Sequence, residues 1–504
     1  MGTYCSSRIL GLGAVVLGLS LLTGIICAPH AGAATATTAP AIPPSQPAKP
    51  NVLFIAVDDL RPELGCYGQR VVKSPNMDRL AAEGLLFQRA YCQMALCMPS
   101  RVSLFSGFRP ESIHKTGRLI GKVPAQTVSL PQLFRNRGYT TVSIGKVYHF
   151  NDDDPEGWVR RYTDTFGEQA WSHGYCSGYQ LAANRALVKN YVKPLSKTGE
   201  ELPRPPICES VDAPDAVHPD GIIAQRAVEE LRKFKASGEP FFLAAGFYRP
   251  HMPCTAPKKY WDLYDRQSIR LPADFRQADD GIPRYNWDEV RRYGDMPEHG
   301  QPMPKEKARE VIHGYYASVS FADAQLGTVL EELRRLGLDQ NTVIVLWGDN
   351  GWNLGEHGRW SKFTNYETST RVAMMISVPW LAKNRQTPAL VELVDIYPSL
   401  CELCRLPAPD YLEGTSVVPL FDQPQRPWKT AAFSCLFETN ARTVCTDRYR
   451  LIQHPGGPIE LYDHVNDPGE DHNLAKDPAF GETLKELQAA LQAGWRGTKP
   501  VQVN

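Results

Sequence analysis

Two pairs of adjacent oxygen-bearing residues, Asp58-Asp59 and Asp349-Asn350, each come directly or within two residues after an apolar run, residues 51–57 and 342–347. Three carboxylates and an amide make a hard-oxygen donor set, which takes calcium or magnesium rather than zinc or copper. Either pair alone would serve as well to cap the turn after its strand. Two such pairs at equivalent places point to a shared metal ion, because open α/β sheets gather ligands beyond the carboxyl ends of their strands.

A second group is Cys97-Met98-Pro99-Ser100-Arg101, followed by residues 102–105 and Gly107. Pro99 suits the first turn of a helix, so Cys97 is expected at the helix mouth, where free N–H groups and the dipole favour an anion. Arg101, four residues on, shares a helical face with it. An isolated cysteine would more often be a structural thiol; the five-residue context argues for a functional one. Lys146, His149, His251 and Lys362 come after apolar strands or beside a glycine-rich turn. Taken singly, such histidines are more often structural and such lysines solvated, and it is their placement that recommends them. Trp352, His357 and Trp360 flank the second acidic pair and would suit a sugar subsite, although ordinary packing explains them equally well.

The elements that must hold these groups alternate. Residues 51–57 read as a central parallel strand buried on both faces. A helix over 75–84 opens at Ser74 and Pro75 and closes at Gly84. Helix 130–137 precedes strand 139–144, helix 219–235 precedes strand 241–246, and a long amphipathic helix over about 305–336 precedes strand 342–347. A strand over 372–378 and a helix over 394–406 come next. This βα alternation predicts an α/β domain with a large, mostly parallel sheet flanked by helices. From about residue 431 short strands, including 449–453 and 459–462, and a helix over 480–494 predict a smaller C-terminal antiparallel sheet. The boundary falls in the proline-containing stretch 421–428, giving a main domain over 51–425 and a subdomain over 426–504. There is no internal repeat.

Lys plus Arg and Asp plus Glu number 55 each in the 504 residues, which excludes a global positive field for nucleic acid or anionic membrane. Residues 1–33 carry Arg8, an apolar stretch and Ala31-Gly32-Ala33, the pattern of a cleaved secretory signal, though the stretch is also long enough for an anchor. Residues 34–50 read as an Ala/Thr/Pro-rich linker. A secreted or periplasmic protein can form disulfides, and of its 12 cysteines position pairs Cys176 with Cys208 and Cys435 with Cys445; connectivity does not follow from sequence. Cys401 and Cys404 form a CxxC better read as half-buried core thiols than as a zinc site.

Cys97-x-Pro99-Ser100-Arg101 resembles the signature of the type I sulfatases, in which a maturation enzyme converts the cysteine to formylglycine. The resemblance covers nearly the whole mature chain, from residues 51–62 to Glu460-Leu-Tyr-Asp463 and Asp467-Pro-Gly-Glu470. The iduronate-2-sulfatase-like branch is resembled in Leu64-Gly-Cys-Tyr-Gly68, Gly145-Lys-Val-Tyr-His149, Pro250-His-Met-Pro253 and Gly355-Glu-His-Gly358. The resemblance implies an alkaline-phosphatase-like fold. It also implies one Ca2+ held by Asp58, Asp59, Asp349, Asn350 and an oxygen of formylglycine 97, with Arg101 holding the hydrate. Lys146 and Lys362 would bind sulfate, His251 would protonate the leaving oxygen with help from Lys362, and His149 would orient the hydrate, although the two histidines are interchangeable at this stage. Asn350 departs from the histidine usual in iduronate sulfatases. The expected partners are a sulfated carbohydrate and the formylglycine-generating enzyme, and the expected substrate is a 2-O-sulfated uronic acid in an acidic polysaccharide. The sugar-reading loops, roughly 151–219 and 255–304, carry no matching motif. The alternatives are a phosphomonoester or phosphonate hydrolase of the same superfamily and a noncatalytic carbohydrate-binding relative.

Overall fold

The computed structural model describes residues 46–498 and 500, except 114, 117–118, 121–122, 150–152, 163–177, 193–198, 200, 274, 276–288 and 299–300. The leader and most of the linker lie outside the described residues, as do Cys176 and parts of both candidate sugar-reading loops. Among the described residues no helix is long and apolar enough to cross a membrane.

The elements that build the site run in chain order as β1 (Asn51–Val57), α1 (Pro75–Ala82), β2 (Leu85–Tyr91), α2 (Cys97–Ser106), α3 (Leu130–Asn136), β3 (Thr140–Gly145), β4 (Arg160–Tyr162) and β5 (Cys208–Val211). Next come α4 (Pro219–Ser237), β6 (Phe241–Phe247), β7 (Cys254–Pro257), α5 (Lys305–Arg335), β8 (Thr342–Gly348), β9 (Arg371–Val372), β10 (Met374–Ser377), β11 (Arg385–Glu392) and α6 (Ile396–Leu403). The chain closes with β12 (Ala432–Leu436), β13 (Ala441–Cys445), β14 (Tyr449–Gln453), β15 (Ile459–Asp463) and α7 (Gly481–Ala493).

The large sheet has the order β9-β2-β10-β8-β1-β6-β3-β4, with β11 parallel beside β2. Pairing is parallel from β8 through β1, β6 and β3 to β4, and antiparallel where β10 meets β8 and β2. Every residue of β1, β6 and β8 is buried, which is why these segments read as unbroken apolar runs: helices cover both faces. The two-residue period sends Leu53, Ile55 and Val57 into one core with α1, α4 and α5. Val52, Phe54 and Ala56 enter a second core with α2, α3 and α6.

Residues 372–378 are not one strand. Ala373 turns its carbonyl to Gly348 N at 2.8 Å and its N–H to Leu60 O at 3.4 Å, so it bonds the end of β8 and the loop after β1 and divides β9 from β10. Two strands not singled out by apolar alternation, β2 and β11, pair with each other. Pro388 sits in a register break of β11 between Thr387 and Leu390, as a residue without an N–H donor must. The 394–406 helix starts at Ile396, because Glu392 and Asp395 cap each other's backbone around a preceding 3-10 turn. Cys401 and Cys404 are buried thiols there.

The small sheet is antiparallel in the order β12-β13-β14-β15. Val444, Leu451 and Leu461 on one face meet Leu487 and Leu491 of α7. Its register places Cys445 opposite Ala432 and Cys435 opposite Arg442. The two sulfurs are thus three pairs apart and on opposite faces, so the suggested Cys435–Cys445 pairing does not form. Buried contacts join the two sheets: Ser434 Oγ donates to Cys92 O at 2.7 Å, and Lys429 Nζ lies 2.6 Å from Asp395 and 2.9 Å from Glu392.

His464, just past β15, bonds Glu470 at 2.7 Å. Burial works against its charged form, but Cys445, Glu470 and Glu367 outweigh burial and push its pKa up to about 10. Because the folded value lies above the unfolded one, this stabilisation is complete below about pH 6.5 and is lost as pH rises toward 10. His464→Gln should therefore lower stability by about 2 kcal/mol at pH 6. Melting curves against pH should show the gap to the parent closing as pH approaches 10; a gap that stays constant would refute the charged pair.

Candidate active site

Sheet register sets the first part of the site. β1 and β8 pair with Val57 opposite Gly348, so Asp58 and Asp349 leave neighbouring strands at one level. Asp349 Oδ1 accepts from Asp59 N at 2.9 Å and Asn350 N at 3.0 Å. Asp59 has φ 60, a left-handed backbone rare outside glycine, which turns the chain back at the strand end. α2 begins at Cys97, whose Sγ lies 3.3 Å from Asp58 Oδ1, 3.7 Å from Asp59 Oδ1 and 3.6 Å from Asn350 Nδ2. Ligating atoms of Asp58, Asp59, Cys97 and Asp349 all lie within 4.8 Å of one another.

Three cations face three carboxylates. Arg101 Nε donates to Asp349 Oδ2 at 2.7 Å, its Nη2 to Asp58 Oδ1 at 3.2 Å, and its Nη1 to the carbonyls of Lys146 and Val147. Lys146 Nζ bonds Asp58 Oδ2. Lys362 Nζ lies 2.7 Å from Asp59 Oδ1 and 3.1 Å from Cys97 Sγ, above the Trp352 ring at 5.2 Å. All six side chains are buried. Burial alone would raise the Asp58 pKa, but Lys146, Arg101 and Lys362 overcome it and hold the carboxyl well below its usual range. At Asp59 burial wins over Lys362 and pushes the carboxyl well up. Burial, with Asp349 and Asp58 close by, also pushes the Cys97 thiol up.

His251 is buried with Nδ1 at 2.7 Å from Met252 O, so that Nε2 faces Asp59 Oδ2 at 3.8 Å. Burial and the ammonium groups of Lys362 and Lys146 keep its pKa well below the usual histidine value. His149 is half-buried, three residues beyond Lys146, and lies outside the described clusters of close ligating atoms. Trp352 and Trp360 are buried and pack the site's wall rather than offering open faces to a sugar, while half-buried His357 stacks on Tyr366 at 4.1 Å.

The sequence profile described as Sulfatase matches residues 50–405. The chain belongs to the sulfatase family. It is a sulfuric ester hydrolase of the iduronate-2-sulfatase-like branch, and a second profile, the C-terminal region of N-sulphoglucosamine sulphohydrolase, matches residues 355–496. The sulfatase is 36% identical to iduronate 2-sulfatase of Mus musculus over 404 residues, 71% of this chain and 69% of that one. It is 32% identical to a sulfatase of Formosa agariphila over 455 residues, 88% and 86% of the two chains. Among solved structures, a protein in complex with its substrate D-glucosamine-2-N,6-O-disulfate superposes with TM-score 0.69 at 21% identity, covering 90% of this chain and all of that one. That likeness bears out the alkaline-phosphatase-like fold.

The sulfatase's donor set fits a cation. Asp59 Oδ2 and Asn350 Oδ1 are buried without a hydrogen-bond partner among the described residues, a costly condition that a hard ion relieves. Three carboxylates against Arg101, Lys146 and Lys362 leave the cluster near neutrality, so a divalent ion would give the net positive charge an anionic ester needs. Two contributors were not legible in the sequence. Glu289, in a 3-10 turn, sits 3.5 Å from His251 Nε2 and 3.8 Å from Lys362 Nζ. Asp220, in the first turn of α4, accepts from Tyr248 N at 2.7 Å and Arg249 N at 2.9 Å and so anchors the loop that carries His251. Around Lys362 the backbone is strained: His357, Ser361 and Phe363 have φ of 54, 74 and 66.

Proposed function

We propose that this sulfatase hydrolyses sulfate monoesters on sugars of acidic polysaccharides, with a 2-O-sulfated uronic acid residue as its preferred target, using formylglycine made from Cys97 and one bound calcium. The observation that carries the reading is Cys97 at the mouth of α2, with Asp58 on one side at 3.3 Å and Lys362 on the other at 3.1 Å. The thiol stands where the hydroxyls of a hydrated formylglycine would lie. That hydrate would supply one hydroxyl to attack sulfur and a second whose collapse to the aldehyde would expel sulfate, chemistry that plain serine or cysteine lacks. Asp58, Asp59, Asp349 and Asn350 would hold the calcium, which supplies positive charge to the sulfate oxygens.

The remaining work falls to this chain's own groups. Arg101 and Lys146 pin Asp58 and Asp349 and fix the field before substrate arrives, so no reorganisation is needed during reaction. Lys362 faces both residue 97 and Asp59 and would bind a sulfate oxygen. His251, neutral at rest and tethered through Nδ1, would accept on Nε2 the proton released by the attacking hydroxyl and pass it to the departing sugar oxygen, with Glu289 beside it to stabilise the charged imidazole between the two transfers. His149 would orient residue 97. The mouse relative's name supports the uronate; export, which the leader reading supports, would put the enzyme where such polymers occur.

Matured enzyme offered a panel of defined sulfated oligosaccharides should act on 2-O-sulfated uronate termini. Turnover should fall by on the order of 100-fold when the substrate carboxylate is reduced to an alcohol, as expected for a lost charge-assisted contact. Equal cleavage of the reduced sugar, or acceptance only of a sulfated hexose, would sink the uronate reading.

A further inference from the structure

β5 and β7 pair in parallel with Cys208 directly opposite Cys254, so the two side chains leave the ribbon on the same side. Adjacent strands put such Cα atoms about 5 Å apart, inside the span a disulfide bridges. Cys254, beside Cys208, is the foremost influence that pushes the Cys208 thiol up. Cys254 is buried and Cys208 half-buried, and neither is bonded to another cysteine among the described residues. Gly314 of α5 packs over the pair: a Cβ there would lie 2.7 Å from Cys254 Cβ and 2.9 Å from Cys208 Sγ. A glycine in mid-helix weakens the helix, and here it leaves room for two sulfurs.

We propose that Cys208 and Cys254 form a disulfide in the exported enzyme; the expectation of an oxidising compartment rests on the function and export proposed above. Cys208, the more exposed of the two, gives up its proton and attacks a disulfide of a glutathione or thiol-oxidoreductase type, forming a mixed disulfide and releasing one thiol. Cys254 then loses its proton and displaces the second thiol. Two protons and two electrons leave the cysteines, and one external disulfide becomes two thiols. The bond ties β7, which begins three residues after His251, to β5, and encloses α4 and β6 in a covalent loop. It also claims Cys208, which position alone assigned to Cys176.

The test takes the full chain made in a reducing cytosol, oxidises it with glutathione disulfide, alkylates remaining thiols and maps peptides by mass spectrometry. One linked peptide joining Cys208 to Cys254 is expected, with a melting temperature a few degrees above the reduced protein, a shift that Cys254→Ser should abolish. Cys208 joined to Cys176, or both cysteines alkylated after oxidation, would overturn the assignment. Fractionating cells that make the full chain with its own leader tests compartment separately: cytosolic protein with both thiols reduced would refute export and leave the pairing standing, whereas exported protein without the link would overturn the disulfide.

Discussion

Cys97→Ala should lower turnover by on the order of 10^4-fold or more, the loss that accompanies removal of an attacking group that works as one unit with its neighbours. Cys97→Ser should be almost as inactive, because its hydroxyl attacks once and cannot collapse to an aldehyde. Neither change should move the melting point by more than a few degrees, since Cys97 fills little volume and Arg101, Lys146 and Lys362 keep their carboxylate partners. Peptide mass spectrometry of protein made alongside a maturation enzyme should show residue 97 without sulfur and reactive toward hydrazides. Full activity with an unmodified thiol would end the formylglycine mechanism.

Chelation should reduce activity by on the order of 10^3-fold, comparable to deleting a principal electrostatic contributor to the transition state. Calcium should restore it and zinc should not, because the donors are carboxylate and amide oxygens. Loading should also be visible without turnover, since an ion that binds only the folded state raises the melting temperature as its concentration rises. Asp59 sets the sign of the pH dependence: burial holds its carboxyl well above the usual range, so protons compete with the ion there. Calcium affinity should weaken as pH falls. Calcium-independent melting together with stoichiometric zinc would reverse the assignment.

The ends of β1 and β8 were legible because contiguous apolar runs announce buried parallel strands, and residues just past the end of such a strand lie at the ligand-binding edge. α2 was legible through Pro99 and its neighbours. Other features escaped for want of register and tertiary approach. Nothing local in Glu289 distinguishes it from a surface acid until its turn is laid against His251. The Cys435–Cys445 pairing failed because spacing along the chain says nothing of the β12–β13 register. Trp352 and Trp360 are aromatic near an acidic pair, which fits a sugar platform or a packed wall, and only burial separates these.

The segment that follows Lys362 is anchored from the far end of the chain. Tyr366 reaches Glu460 at 2.9 Å across 94 positions, Arg450 donates to Asn365 O at 3.0 Å, and Glu367 N donates to Glu470 at 2.7 Å across 103. The small sheet is therefore a remote tensioner for one ammonium group. A chain cut short before β12, or grafted with the tail of another family member, would keep every site residue and still let that ammonium relax away from Cys97. Order at the catalytic edge should therefore depend on the C-terminal sheet as well as on the site residues themselves.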